Sequence, residues 1–175
     1  MWTTAIVLAV LVFWAVGAYN RLIRLRSAAI QAFAALDTHL LRGLALLQEY
    51  EAAAQTAVDS HAQAAVAAAG GQFAAALAVV RARPLDAGAA AALAAGAQVL
   101  DTAWQSLVHC AALQSEGVAP PALAPWVQQR EQLALQSAPV QQQFNAAVAH
   151  YNAAVAQFPA SLLAWLFDFK KAQTL

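Results

Sequence analysis

A metal centre, a nucleophile or an acid–base pair would have to be assembled from four histidines, one cysteine and nine acidic residues spread over 175 positions. Two ligands on one helix must sit three or four residues apart, as in Glu-x-x-His or His-x-x-x-His, because only those spacings share a face. His39, His61, His109 and His150 have no such neighbour. Asp37 and His39, like Asp59 and His61, are two residues apart and lie on different helix faces, and His109 and adjacent Cys110 diverge in the same way. No Gly-rich phosphate loop occurs, since Gly70-Gly71 stands alone and reads as a turn, and there is no Gly-x-Ser-x-Gly elbow. The expectation is a protein that is not an enzyme, with no catalytic, metal-binding or cofactor-binding residues. Its histidines then take ordinary surface or core positions. Cys110 has no partner for an internal disulfide and reads as a small buried apolar residue.

Three other sets of polar residues stand out by position. Arg21, Arg24 and Arg26 follow directly on a long apolar run. Such a cluster sets topology, contacts anionic lipid head groups at about 1 kcal/mol per residue, or does both. Asn145 and Asn152 are seven apart, on a common helix face beside an aromatic seam. They either fix register in a buried polar layer or lie on a solvated flank. Asp37 falls between Phe33 and Leu40 on an apolar stripe, where a lone carboxylate is costly. It either sits at the stripe's edge in water or accepts a hydrogen bond from Asn145.

Helices must carry all of these positions, because no strand-like alternation appears anywhere. Hydrophobic residues make up 62% of the chain and charged ones 10%, far fewer charges than the roughly 25% usual in soluble domains. Much of the excess is alanine, the best helix former. Nine acidic and nine basic residues cancel, so no global basic field exists to hold nucleic acid. Residues 2–19 (WTTAIVLAVLVFWAVGAY) are free of charge, long enough to span a bilayer, and bounded by Trp2 and Tyr19. A cleaved signal peptide wants a basic start, whereas the arginines here come after the apolar run, so an uncleaved anchor with the bulk of the chain in the cytoplasm is the favoured expectation. Cleavage after Val16-Gly17-Ala18 and export is the alternative.

Beyond the anchor, Ile23, Ile30, Phe33, Leu40, Leu44 and Leu47 recur at helical spacing. Stops are expected at Gly70-Gly71, at Arg83-Pro84 and over residues 116–125 (EGVAPPALAP), with Asp86 as a helix cap. The last long helix runs from about Trp126 to Phe158-Pro159, with Pro139 kinking or dividing it. Phe144, Val148, Tyr151, Val155 and Phe158 step by fours and threes along it, a coiled-coil-like packing seam. Breaks at Gly70-Gly71 and 116–125 alone give three long helices; a further turn near residues 43–49 gives four. With four, alternating helix directions return residues 162–169 (LLAWLFDF) and Lys170-Lys171 to the level of Arg21, at an interface. Asp37 then lies within about one helical turn, 5.4 Å, of Asn145.

The residues directly after the span, Tyr19-Asn20-Arg21-Leu22-Ile23-Arg24-Leu25-Arg26, then Leu36-Asp37, Leu40 and Arg42, resemble the opening of the LemA family. Phe144-Asn145, Tyr151-Asn152, Phe158-Pro159-Ala160-Ser161 and the ending Leu166-Phe167-Asp168-Phe169-Lys170 resemble its C-terminal portion. These stretches cover about a third of the chain. The middle departs from the family: Gln48-Glu49 stands where the family has a proline-asparagine break, and alanine replaces most of the charges. The resemblance implies a single-pass protein of the bacterial inner (cytoplasmic) membrane with a four-helix cytoplasmic bundle and no established reaction, cofactor or substrate. The expected organisation is an anchor over 1–19, an up-down antiparallel all-α bundle over 20–165 and a short aromatic and basic tail over 166–175. The expected role is a membrane scaffold or interaction protein with a protein partner or self-association. A ligand-binding or accessory enzymatic bundle is the alternative.

Overall fold

From Trp2 to Ala53 no proline interrupts the chain and the glycines, Gly17 and Gly43, are isolated, so one helix, α1 (Trp2–Ala53), runs the whole way. At 1.5 Å per residue its 52 residues reach about 78 Å. The computed structural model describes residues 2–54, 60–114, 121–158 and 160–175. Within them follow α2 (Ser60–Ala82), α3 (Ala87–Gln114), α4 (Ala124–Ala156) and a short α5 (Ala160–Leu166). The fold is an all-α bundle of four long helices.

Two expected breaks are absent. The turn near residues 43–49 does not occur, because nothing there disfavours helix strongly enough to stop α1. Gly70-Gly71 lies inside α2 rather than at its end. An isolated glycine pair costs a helix only about 1 kcal/mol per residue, and tertiary packing overrides that. Gly70 is where α2 meets α1: a Cβ built there would fall 2.5 Å from Leu47 Cδ2. Gly71 faces open space. Gly71→Ala is therefore expected to stabilise the fold by about 0.5–1 kcal/mol in chemical denaturation, whereas Gly70→Ala must first displace buried Leu47 and should gain less.

The other boundaries follow local chemistry. Pro84 ends α2, and Asp86 caps α3 by accepting a hydrogen bond from the Ala89 N–H at 2.7 Å. Pro125 occupies the first turn of α4, where a missing N–H costs nothing. Pro139 divides nothing: α4 passes through it as one helix. The carbonyl it leaves without an intrahelical partner belongs to Leu135, a residue 76% exposed, so water can satisfy it. The expected stop at Pro159 and the first half of the expected loop, 116–120, lie outside the described residues.

α1 packs along α4 and α2 along α3. The α1–α4 pair is antiparallel, with Gly43 against Leu133 and the Phe33 and Phe144 rings edge to face at 5.8 Å. One apolar cluster joins Leu22, Ala29, Phe33 and Leu36 to Phe144, Val148, Tyr151 and Val155, closed by Leu77, Val80 and Leu93. A second lies at the far end, where Tyr50 meets Trp104 and Trp126 edge to face. Phe33, not Asp37, lies beside Phe144, so Asp37 is four residues, about 6 Å, further along α1. It does not receive a hydrogen bond from Asn145. Its Oδ2 instead pairs with the Arg81 Nε of α2 at 3.2 Å, while its Oδ1 is buried without a hydrogen-bond partner among the described residues.

Candidate functional site

Two features of the same end of the bundle depart from ordinary core packing. The first is apolar and exposed. Only 6% of α1's most apolar stretch is buried in the bundle, against 33% for the comparable part of α2, residues 61–82. Both are long and apolar enough to cross a membrane; α2 packs along α3 and gives Phe73, Leu77 and Val80 to the core, whereas the apolar stretch of α1 projects. Along the projection Ile6, Val10, Phe13 and Val16 are all more than half exposed. Where it enters the bundle, α5 and the chain after it pack on it: Tyr19 contacts the Phe167 ring at 5.0 Å and the Phe169 ring at 6.1 Å. Around that level Phe158, Leu162, Trp165 and Leu166 are exposed and form an apolar collar. Arg21, Arg24 and Arg26 are exposed on the next turns, with no ion pair among the described residues.

Phe158 departs from the expected seam. Phe144, Val148, Tyr151 and Val155 are buried, but Phe158 is 77% exposed. α4 ends at Ala156, so the helical periodicity that would turn Phe158 inward has no helix to carry it.

The second feature is a clamp on the tail. Residues 170–175 lie extended along the bundle, running away from α5. Asn152 holds Ala172 by two bonds: its Nδ2 donates to the Ala172 carbonyl at 2.7 Å, and the Ala172 N–H donates to its Oδ1 at 2.8 Å. Asn145 repeats this on Leu175, at 2.7 and 2.9 Å. Tyr151 donates its hydroxyl to the Lys170 carbonyl at 2.9 Å. The spacing explains the repeat. Seven helical residues rise 10.5 Å and return to nearly the same face, while three residues of extended chain span about 9–10 Å. Phe169 and Leu175 are half-buried and Ala172 is buried, while Lys170, Lys171, Gln173 and Thr174 face solvent. The tail therefore turns every third residue inward. Asn145 and Asn152 thus form neither a register layer between helices nor a solvated flank, and Asp37 is not part of their network.

Burial pushes the Tyr151 phenol above its ordinary value, with Arg26 opposing part of the rise. The folded state therefore holds this proton more tightly than the unfolded chain. Its contribution to stability is complete below about pH 10, the unfolded value, and is lost as pH rises through the raised one. Tyr151→Phe is expected to flatten that alkaline loss in pH-dependent denaturation.

Elsewhere, a cavity of about 170 Å³ lies between the helices, lined by Leu40, Leu47, Phe73 and Trp104 with His39, Arg130 and Ser137. Ser137 donates to the Ala134 carbonyl at 3.0 Å. Arg130 stacks over Trp104 at 5.2 Å and bonds Asp101 at 3.2 Å. Only the His39 Nδ1 is buried there without a partner among the described residues. A substrate site needs several convergent polar groups; of the three here, Arg130 and Ser137 already bond neighbours. No group of three or more His, Cys, Asp or Glu side chains able to hold a metal occurs among the described residues. Cys110 is free and half-buried.

No family model, no curated protein and no solved structure matches this chain.

Proposed function

We propose that this chain is a single-pass membrane protein and non-enzymatic scaffold, held by the projecting part of α1 in the bacterial inner membrane with its bundle on the cytoplasmic side. The observation that carries the reading is the continuity of α1: one helix passes from an exposed apolar stretch into the bundle core, and the chain's other exposed aromatics gather where it enters. A collar of Trp165, Phe167 and Leu166 beside Tyr19 suits the bilayer–water boundary. Arg21, Arg24 and Arg26 stand where cytoplasmic arginines would fix topology and meet anionic head groups. The resemblance to the LemA family supports the same reading, and the four-helix count agrees with it.

The expected result of fractionation is that the protein stays with membranes after peripheral proteins are washed away. Mass spectrometry of the extracted chain should find Trp2 attached, and protease should digest the bundle only when added from the cytoplasmic side. A mature terminus at Tyr19, or a soluble protein, overturns the proposal.

A further inference from the structure

We infer that the groove holding residues 170–175 is an exchangeable docking site, whose second occupant is the same tail of a neighbouring copy of this chain. This rests on the anchored reading for the alignment of copies, and it names the partner that a scaffold of this kind would take.

Three observations carry it. First, the clamp reads main chain. Four of its five hydrogen bonds join Asn145 and Asn152 to both backbone groups of Leu175 and Ala172, and the fifth joins Tyr151 to the Lys170 carbonyl. Such a site asks of its occupant an extended segment with a small residue at the Ala172 position and apolar residues three before and three after. The tail of another copy meets that demand as well as the chain's own. Second, the tail leaves α5 through Asp168, whose φ of 54° lies in the left-handed region that non-glycine residues enter at a cost. The Phe169 N–H bond to the Ala164 carbonyl at 2.8 Å keeps this bend at the end of α5, so the segment that exchanges begins beyond it, where the one ion pair, Asp168 to Lys170 at 3.4 Å, is about four-fifths exposed and holds the tail weakly. Third, the tail begins level with Tyr19 and runs in the same direction as α1, away from the projecting stretch. Copies anchored by that stretch stand parallel in one plane. Their tails then emerge at the height of their neighbours' grooves and point the right way. Exchange needs a sideways step only, and confinement to a plane raises the effective concentration of the second tail against the first. Swapping an identical element also conserves every contact, which makes it a low-cost route to association.

The test mixes two isotopically distinct populations of the full chain, each carrying photoreactive benzoylphenylalanine at exposed position 174. They are reconstituted together in vesicles containing anionic phospholipid, and separately in detergent. Mixed-isotope cross-links from position 174 to the α4 segment around Asn145 are expected, falling at least tenfold when Ala172→Trp or the Asn145→Leu/Asn152→Leu pair is introduced. Ala172→Trp alters only the tail, so it remains decisive if the double substitution prevents folding. Cross-links confined to single-isotope pairs overturn the inference. So do mixed cross-links that survive Ala172→Trp, because they report contact without docking. Flotation of the protein with the vesicles is read separately: failure to float removes the anchored reading, while mixed cross-links in detergent still support exchange.

Discussion

Replacing Phe144 with alanine is expected to cost about 3–5 kcal/mol of unfolding free energy, the range for a buried Phe→Ala. The ring has no exposure and meets Phe33 edge to face at the centre of the α1–α4 contact. Val148 and Tyr151 pack in the same cluster and are themselves buried, so the site has little freedom to collapse around a cavity. Against a total stability of roughly 5–15 kcal/mol, the loss is large enough to leave the bundle marginal. Phe158→Ala is the matched control. It is the same substitution on the same sequence repeat, but at a residue 77% exposed, and should change folding stability by no more than about 0.5 kcal/mol. Urea denaturation in a mild detergent reads both. Equal effects would mean that the seam does not divide at the end of α4.

That pair shows how far the pattern could be read from the sequence. The step of fours and threes through Phe144, Val148, Tyr151 and Val155 reports a helix face, and burial follows it. The pattern contains no information about where the helix ends, so it runs on through Phe158 when the chain does not. A similar limit applies on α1. The seven-residue recurrence is real, but the deepest positions are Leu22 and Ala29, one residue before Ile23 and Ile30, which are more than a third exposed. Hydrophobicity favours isoleucine over alanine. At position 29, buried in the cluster that α1 shares with α4, the smaller side chain is the one that fits. Gly70 makes the same point: as a breaker it reads as a turn, yet in the bundle its missing side chain is what admits Leu47. Four helices were legible because an even count returns LLAWLFDF to the anchor; the position of the dividing turn was not, since α1 ends without proline or paired glycine.

The clamp lay further from reach. Asn145 and Asn152 were conspicuous by their spacing, but their partners are backbone groups, which every residue has and no side-chain pattern marks. The usable signal was the tail's own period of three, Phe169, Ala172 and Leu175, which matches the seven-residue helical spacing in length. Arg81, the partner of Asp37, was hidden for a different reason. It sits on α2, which meets α1 at Gly70, a position that reads as a turn in the sequence.

Substituting leucine for Asn152 is expected to free the tail rather than unfold the bundle. The side chain makes two neutral hydrogen bonds, each worth about 0.5–1.5 kcal/mol net, so the loss is about 1–3 kcal/mol. A buried Ala172 N–H and carbonyl left unpaired would cost more than this. The tail has a cheaper outcome, which is to peel away into water, where both groups are satisfied. That exit caps the cost at the docking free energy of residues 170–175. It also predicts strong non-additivity: once Asn152→Leu has released the tail, adding Asn145→Leu should cost little more, because its partner Leu175 has already left. At 1.4 kcal/mol per factor of ten, amide exchange at Ala172 and Leu175 should quicken by about 10–100-fold while the α1–α4 core amides around Phe144 keep their protection. Asn152→Asp offers a finer probe. It retains an acceptor for the Ala172 N–H but has no donor for the Ala172 carbonyl and sets a negative charge against it. Its exchange should therefore match the leucine variant at neutral pH and slow again as acid protonates the carboxyl. Tail amides that stay protected in all three variants would mean that the apolar contacts of Phe169, Ala172 and Leu175 hold the strap on their own.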